Sequence, residues 1–263
     1  MARSIVITSA KGGVGKTTLT ANLGRSLAKL GQRVVLIDTD IGLNNLDVVM
    51  DVENKIVYDL IDVIENRCRP RQALIEDKVP GLYVMPSAHS YDDGRITGQN
   101  LRALVNVLSP SFDYILVDCP AGIEKGFHRA VVACNEAIVV TTPHISAIRD
   151  ADKVIGLLAG YQKRQIHVVI NRARGDLMIN SEMVDYQDIC QILKTAPIGV
   201  IPEDDAVNLL SNLGLTVNRK SDGWPAFDMF ARNVHLGTAE IFDVTKKYRG
   251  FWGNLKRSLR RKV

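Results

Sequence analysis

Short apolar runs recur along this chain with few polar interruptions. SIVIT (4–8), RVVLID (33–38), LYVMPS (82–87), YILVDCP (114–120), AIVVTT (137–142), HVVINR (167–172) and IGVIP (198–202) are rich in valine and isoleucine. A strand with one wet face alternates polar and apolar residues. These runs do not, so they read as strands buried on both faces, which belong to parallel sheets. Between them, apolar residues recur three and four apart. Leu19, Leu23, Leu27 and Leu30 line a helix predicted over Thr17–Leu30 and closed by Gly31. Further helices are predicted over Val57–Asn66, Gly98–Leu108, Glu124–Cys134, Ile145–Tyr161, Ser181–Leu193 and Asp205–Leu213, and a last one near Phe227–Tyr248. Strand alternating with helix implies an α/β fold, a doubly wound and mostly parallel sheet flanked by helices. No repeat or proline-rich linker divides the chain, so 1–250 reads as one domain and 251–263 as a short appendage.

Composition adds limits. The 263 residues, 46% of them hydrophobic, suit one large α/β domain. The formal net charge is only +4, and the excess is concentrated after Phe251, where Lys256, Arg257, Arg260, Arg261 and Lys262 stand with no acidic residue. The cysteines, Cys68, Cys119, Cys134 and Cys190, include no C-x-x-C pair and read as reduced thiols of a cytosolic protein. The five histidines form no ligand cluster, so a protein-built zinc site is not expected. MARSIVITS runs straight into a glycine loop and reads as a first strand rather than a signal peptide. No apolar run is long enough to cross a bilayer.

The glycine loop carries the strongest chemistry. SAKGGVGKTT (9–18) lies between a predicted strand and a predicted helix, the setting of a phosphate loop. Gly12, Gly13 and Gly15, with Val14 between them, let successive backbone N–H groups turn toward an anion. The helix that follows adds its positive end. Lys16 is then placed for the β- and γ-phosphates, Thr17 for Mg²⁺, and Thr18 completes the cradle. Ala10 stands where G-x-x-x-x-G-K-[ST] has glycine, so the match is not a plain Walker A. Asp38 and Asp40 end one apolar run and Asp118 ends another, at the carboxyl edge where open α/β sheets bind ligands. Asp118 is the expected metal partner. Asp38 and Asp40 compete with a reading as turn caps.

KGGVGKTT resembles the deviant Walker A loop of the MinD/ParA family of P-loop ATPases. The stretches DIGLNNLDVVM (40–50), VYDLIDVI (57–64), DCPAGIEKG (118–126) and SAIRDADKVIGLL (146–158) resemble its division-site branch. The resemblance runs from Arg3 to about Asn212 and returns at the basic tail. It implies ATP and Mg²⁺ as ligands and hydrolysis of ATP. It implies that Lys11 crosses a dimer interface to the partner's phosphates, against the plain alternative of a solvated charge. It places Asp38 near the metal and has Asp40 orient the attacking water. Pro120 and Gly122 resemble a switch loop that feels the γ-phosphate. Asn171, Arg172, Pro202 and Glu203 match positions that border the adenine, although a helix cap reads equally well there. Asp150 and Asp152 fall near a surface that receives MinC or MinE.

The tail FWGNLKRSLRRKV (251–263) reads as an amphipathic helix, with Phe251, Trp252, Leu255 and Leu259 on one side and Lys256, Arg257 and Arg260 on the other. That composition suits an anionic membrane surface. A solvated charge run and a nucleic-acid arm are the competing readings. One copy would hold a membrane weakly. Two on an ATP-dependent homodimer would gain roughly 10²–10⁴ in avidity. The expected protein is therefore cytoplasmic and reversibly peripheral on the inner face of the cell membrane, or of a plastid inner membrane. No specific nucleic acid is expected. The alternatives are a DNA-partitioning or flagellar-number ATPase of the same family, or a nucleotide-binding scaffold that never turns over.

Overall fold

The computed structural model describes residues 1–42, 45–88, 94–207 and 221–250. Eight strands form one sheet in the order β3-β4-β2-β5-β1-β6-β7-β8. They are β1 (Arg3–Thr8), β2 (Val34–Asp38), β3 (Ile75–Glu76), β4 (Leu82–Met85), β5 (Tyr114–Asp118), β6 (Glu136–Thr141), β7 (Gln165–Ala173) and β8 (Gly199–Pro202). All seven predicted runs are strands, and all pair in parallel. The addition is β3, an antiparallel edge strand on β4. Two residues are too short to show a period in sequence.

Helices cover both faces. α1 (Lys16–Lys29), α2 (Asn45–Met50) and α9 (Gly223–Leu236) lie on one; α4 (Gly98–Leu108), α5 (Lys125–Ala133), α6 (Ile145–Ala159) and α8 (Tyr186–Leu193) on the other. Strand β1 shows why its run does not alternate: Ile5 and Ile7 face Leu19, Leu23 and Phe227, while Val6 faces Phe127 and Val131, and all are buried. Short helices α3 (Leu60–Ile64) and α7 (Gly175–Ile179) fill the connections.

Boundaries moved where caps outweigh periodicity. The helix expected over Val57–Asn66 shrinks to α3, because Asp59 and Asp62 form a reciprocal cap and Asn66 turns left-handed at φ 59°. The one expected over Ser181–Leu193 starts only at Tyr186, capped by the Asp185 carboxylate. The last helix is corrected most: it spans Gly223–Leu236, not Phe227–Tyr248. Gly237 at φ 71° ends it. Buried Asn233 fixes the exit, donating to the carbonyls of Ile198 at 2.8 Å and Glu240 at 2.7 Å and accepting from Thr238. The chain beyond it is a strap: Val244 packs so tightly on Gly175 that a Cβ there would stand 2.0 Å from the Val244 carbonyl oxygen. The helix expected over Asp205–Leu213 begins at Asp205, but most of it, and all of 251–263, lies outside the described residues. Among the described residues no helix is long and apolar enough to cross a membrane.

Candidate functional site: a phosphate loop over two buried carboxylates

β1 delivers the chain to the loop and α1 begins at Lys16, so the glycines fall between strand and helix as the sequence requires. Gly13 and Gly15 take φ of 76° and 92°, a region that costs L-residues strain. Gly15 is confined as well. A Cβ there would lie 2.4 Å from Asn171 Nδ2, and that same nitrogen donates to the Val14 carbonyl at 2.8 Å. Asn171, at the carboxyl end of β7, therefore braces the loop. Gly15→Ala is expected to disturb both the backbone and this brace, lowering nucleotide affinity by at least roughly tenfold while the sheet still folds. Calorimetric titration checks it.

Lys16 is buried, with Nζ 3.1 Å from Ser9 Oγ, and Ser9 in turn donates to the Lys11 carbonyl at 2.7 Å. One lysine thus lies inside the loop, tethered to its own arch. Beneath it, strands β2 and β5 place Asp38 and Asp118 opposite each other in register. Both are 1% exposed. Burial pushes the Asp118 carboxyl up to about 6, against hydrogen bonds from Thr17 and Thr20 and the charge of Lys16. Asp38 is raised well above its ordinary value by burial and by Asp118, although the N–H groups of Asp40 and Leu46 hydrogen-bond to it. Burial disfavours the ionised form of both carboxylates, and a divalent cation beside them would offset that cost. Together with the Thr17 hydroxyl they suit Mg²⁺, which takes one or two carboxylates and fills its shell with phosphate oxygens and water.

Asp40 is half-buried at the rim, its carboxyl raised by burial and lowered by Lys16. The switch candidates lie alongside: Gly122 takes φ of 89°, and Gly126 lets Pro120 pack where a Cβ would meet Pro120 Cγ at 2.5 Å. A Cβ on Gly12 would sit 3.7 Å from that of Ala121, so the loop and the switch segment are neighbours. The four adenine candidates also gather. β7 and β8 pair Ala173 with Pro202, and the Glu203 N–H donates to the Ala173 carbonyl at 3.0 Å. This brings Asn171, Arg172, Pro202 and Glu203 to one end of adjacent strands, with Arg172 exposed at φ 56°.

Lys11 behaves differently from Lys16. Its side chain leaves the loop and is half-exposed, with Nζ 2.9 Å from Asp150 Oδ2 on α6. The bond from Lys11 holds the Asp150 carboxyl below its ordinary value, and Lys153 adds to it. Asp152, two residues on, is exposed. The sequence pattern did not point to three supporting residues: Ser9, Thr20 (Oγ1 to Asp118 Oδ1, 3.0 Å) and Thr39 (Oγ1 to the Asp118 carbonyl, 2.6 Å). Thr20 had a signal. It stands one helical turn after Lys16, on the same face of α1.

The fold and the loop define a P-loop nucleotide-binding protein. A family model for the CobQ/CobB/MinD/ParA nucleotide-binding domain matches residues 5–217. The chain is 45% identical over 263 residues to the septum site-determining protein MinD of Bacillus subtilis, covering 97% of each. To that of a Synechocystis strain it is 47% identical over 263 residues, covering 98% of this chain and 99% of the relative. Among solved structures, MinD in the MinC:MinD complex of Aquifex aeolicus superposes with a TM-score of 0.82 at 43% identity, over 91% of this chain and 97% of that one. The chain belongs to the MinD family of septum site-determining proteins. A plasmid partition protein of Borrelia burgdorferi, 18% identical with a TM-score of 0.72 over 90% of this chain and 100% of its own, shares the fold alone.

Proposed function

We propose that this chain is an ATPase that pairs on ATP, attaches reversibly to the inner face of a membrane, and helps to place the division site. The observation that carries this reading is the division of labour between its two loop lysines. Lys16 is inside and committed to its own cradle. Lys11 is half-exposed and pairs with Asp150 at 2.9 Å, and a pair so open to water is weak. Phosphate oxygens of a second copy would offer Lys11 more charge and less solvent. Pairing would then require Lys11 to leave Asp150. A lysine given in trans supplies positive charge to the transferring phosphoryl group, a role in which an arginine is worth roughly 10³–10⁵. Thr17, Asp118 and Asp38 would hold Mg²⁺, and Asp40 would orient water at the rim. A solved MinD relative of Pyrococcus horikoshii is a complex with Mg-ADP, which supports the same ligands here.

The Aquifex complex makes MinC a partner by analogy, with MinE an expectation from the family resemblance. The face carrying Asp150 and Asp152 is the candidate surface. The tail, residues 251–263, supplies the membrane hook in this reading.

Sedimentation with anionic vesicles tests it. The chain is expected to pellet with ATP and remain in the supernatant with ADP. Lys11→Ala should still bind nucleotide, stay monomeric by light scattering, and stay off vesicles. An ATP-dependent dimer of that variant would remove the trans role. Vesicle binding indifferent to the nucleotide would remove the switch.

A further inference from the structure

The strap that follows α9 creates a cleft. Between it and helices α7 and α8 lies a space of about 390 Å³, floored by Ile170, Met178, Val200, Ile241 and Phe242. Met178 and Asp185 also line a neighbouring hollow of about 330 Å³ that holds Glu182 and Asp188. An apolar floor therefore runs into an acidic shelf. Among the described residues, the lining of the two hollows includes the carboxylates of Asp185, Asp243, Glu182 and Asp188 and the guanidinium of Arg249, which lies 3.4 Å from Asp243.

Arg249 is also the last residue before Gly250 and the tail. Gly250 takes φ of 77°, which turns the chain without strain. An extended residue spans at most about 3.6 Å, so Phe251 and Trp252 can lie no more than about 11 Å from Arg249. The segment that begins there has aromatic and leucine side chains on one side and five basic residues with no acid. Its chemistry is the complement of the cleft and shelf beside it.

We propose that in the unpaired chain residues 251–263 dock back into this cleft, apolar side on the floor and basic side on the acidic shelf. The docked tail offers a membrane neither its apolar nor its basic face. Vesicle binding must then compete with the cleft as well as with the weakness of a single hook. That consequence rests on the membrane reading above, but the docking does not.

The test uses the full chain with Trp224→Phe, so that Trp252 is the sole tryptophan, in ADP and without vesicles. Acrylamide quenching of Trp252 should be at least about threefold weaker than in a synthetic peptide of residues 251–263. Adding Glu182→Gln, Asp185→Asn and Asp188→Asn should restore the peptide's value. Asparagine caps a helix as well as aspartate, so α8 is preserved. Ile241→Asn, on the strap, is a second variant should the first fold poorly. Trp252 as quenchable in the unmodified cleft as in the peptide overturns the docking, and so does protection that survives both sets of changes. If Trp252 is protected and the variants release it, yet no form binds vesicles with ATP, the docking stands and the membrane reading falls.

Discussion

Lys16→Ala is expected to abolish measurable ATP binding while leaving the sheet folded. The argument is electrostatic and local. Lys16 Nζ is the buried cation nearest the loop, tethered 3.1 Å from Ser9 Oγ at the start of α1. Hydrogen bonds to a charged group contribute about 1.5–3 kcal/mol each, and Lys16 is placed to make them to two phosphates. Loss of both lowers affinity by roughly 10²–10⁴. The change also removes a charge that holds down the Asp118 and Asp40 carboxyls. The emptied loop then faces incoming phosphate beside carboxylates and without its buried cation. Titration with a fluorescent ATP analogue reads the loss, and circular dichroism reads the fold. Turnover equal to that of the unaltered chain would overthrow the site.

Asp118→Asn should do two opposite things. In the nucleotide-free protein at pH 7.5 it should raise stability. Asp118 has its carboxyl pushed up to about 6 by burial, so its ionised form is disfavoured in the folded chain. A group raised on folding contributes stability below its unfolded pKa and loses it as pH climbs through the folded value. The apo fold is therefore expected to weaken between about pH 4 and pH 6 and beyond, where Asp38, raised in the same direction, adds to the effect. Each tenfold change in a protonation equilibrium corresponds to about 1.4 kcal/mol, so relief of the charge is expected to gain about 1–3 kcal/mol and to flatten the pH profile. Asparagine can still accept from the Thr20 hydroxyl, which bonds Asp118 Oδ1 at 3.0 Å. With nucleotide, the order reverses. The unaltered chain should gain stability on adding Mg²⁺ and nucleotide, and Asp118→Asn should lose most of the Mg²⁺ increment. A variant less stable without ligand, with its Mg²⁺ increment intact, would show that the carboxylate pair is not a metal site.

These two results bear on neighbouring features. Lys16 tests the anion half of the cradle and Asp118 the cation half. The distance from Lys11 to Asp150 adds a third element, because it shows the second loop lysine paired within its own chain. Under the pairing proposed above, Lys11 would exchange this carboxylate for phosphate of a second copy, and Asp150 lies on the face proposed for partner proteins. Release of Lys11 and exposure of that face would be the same event.

What the sequence alone determined was everything written in local periodicity and local chemistry. Seven apolar runs without alternation specified seven parallel strands, because a strand covered on both faces has no wet side to keep polar. Glycines followed by Lys16 and Thr17 specified a phosphate loop, because only that residue set tolerates the turn and supplies the charge. Asp38 and Asp118, each ending an apolar run, were legible as carboxylates at the ligand edge of the sheet. Their facing registers were not, since β2 and β5 are far apart in the chain and meet only through sheet order. The brace from Asn171 to Val14 joins residues 157 positions apart and could not be read from either. The early end of α9 was decided by Asn233 reaching Ile198 and Glu240, contacts that override a helix-like pattern running on toward Tyr248. The pairing of Lys11 with Asp150, and the cleft beside the strap, likewise exist only once α6, α7, α8 and the chain after α9 have packed. Periodicity reports which face of an element is buried, and only packing decides what that face meets.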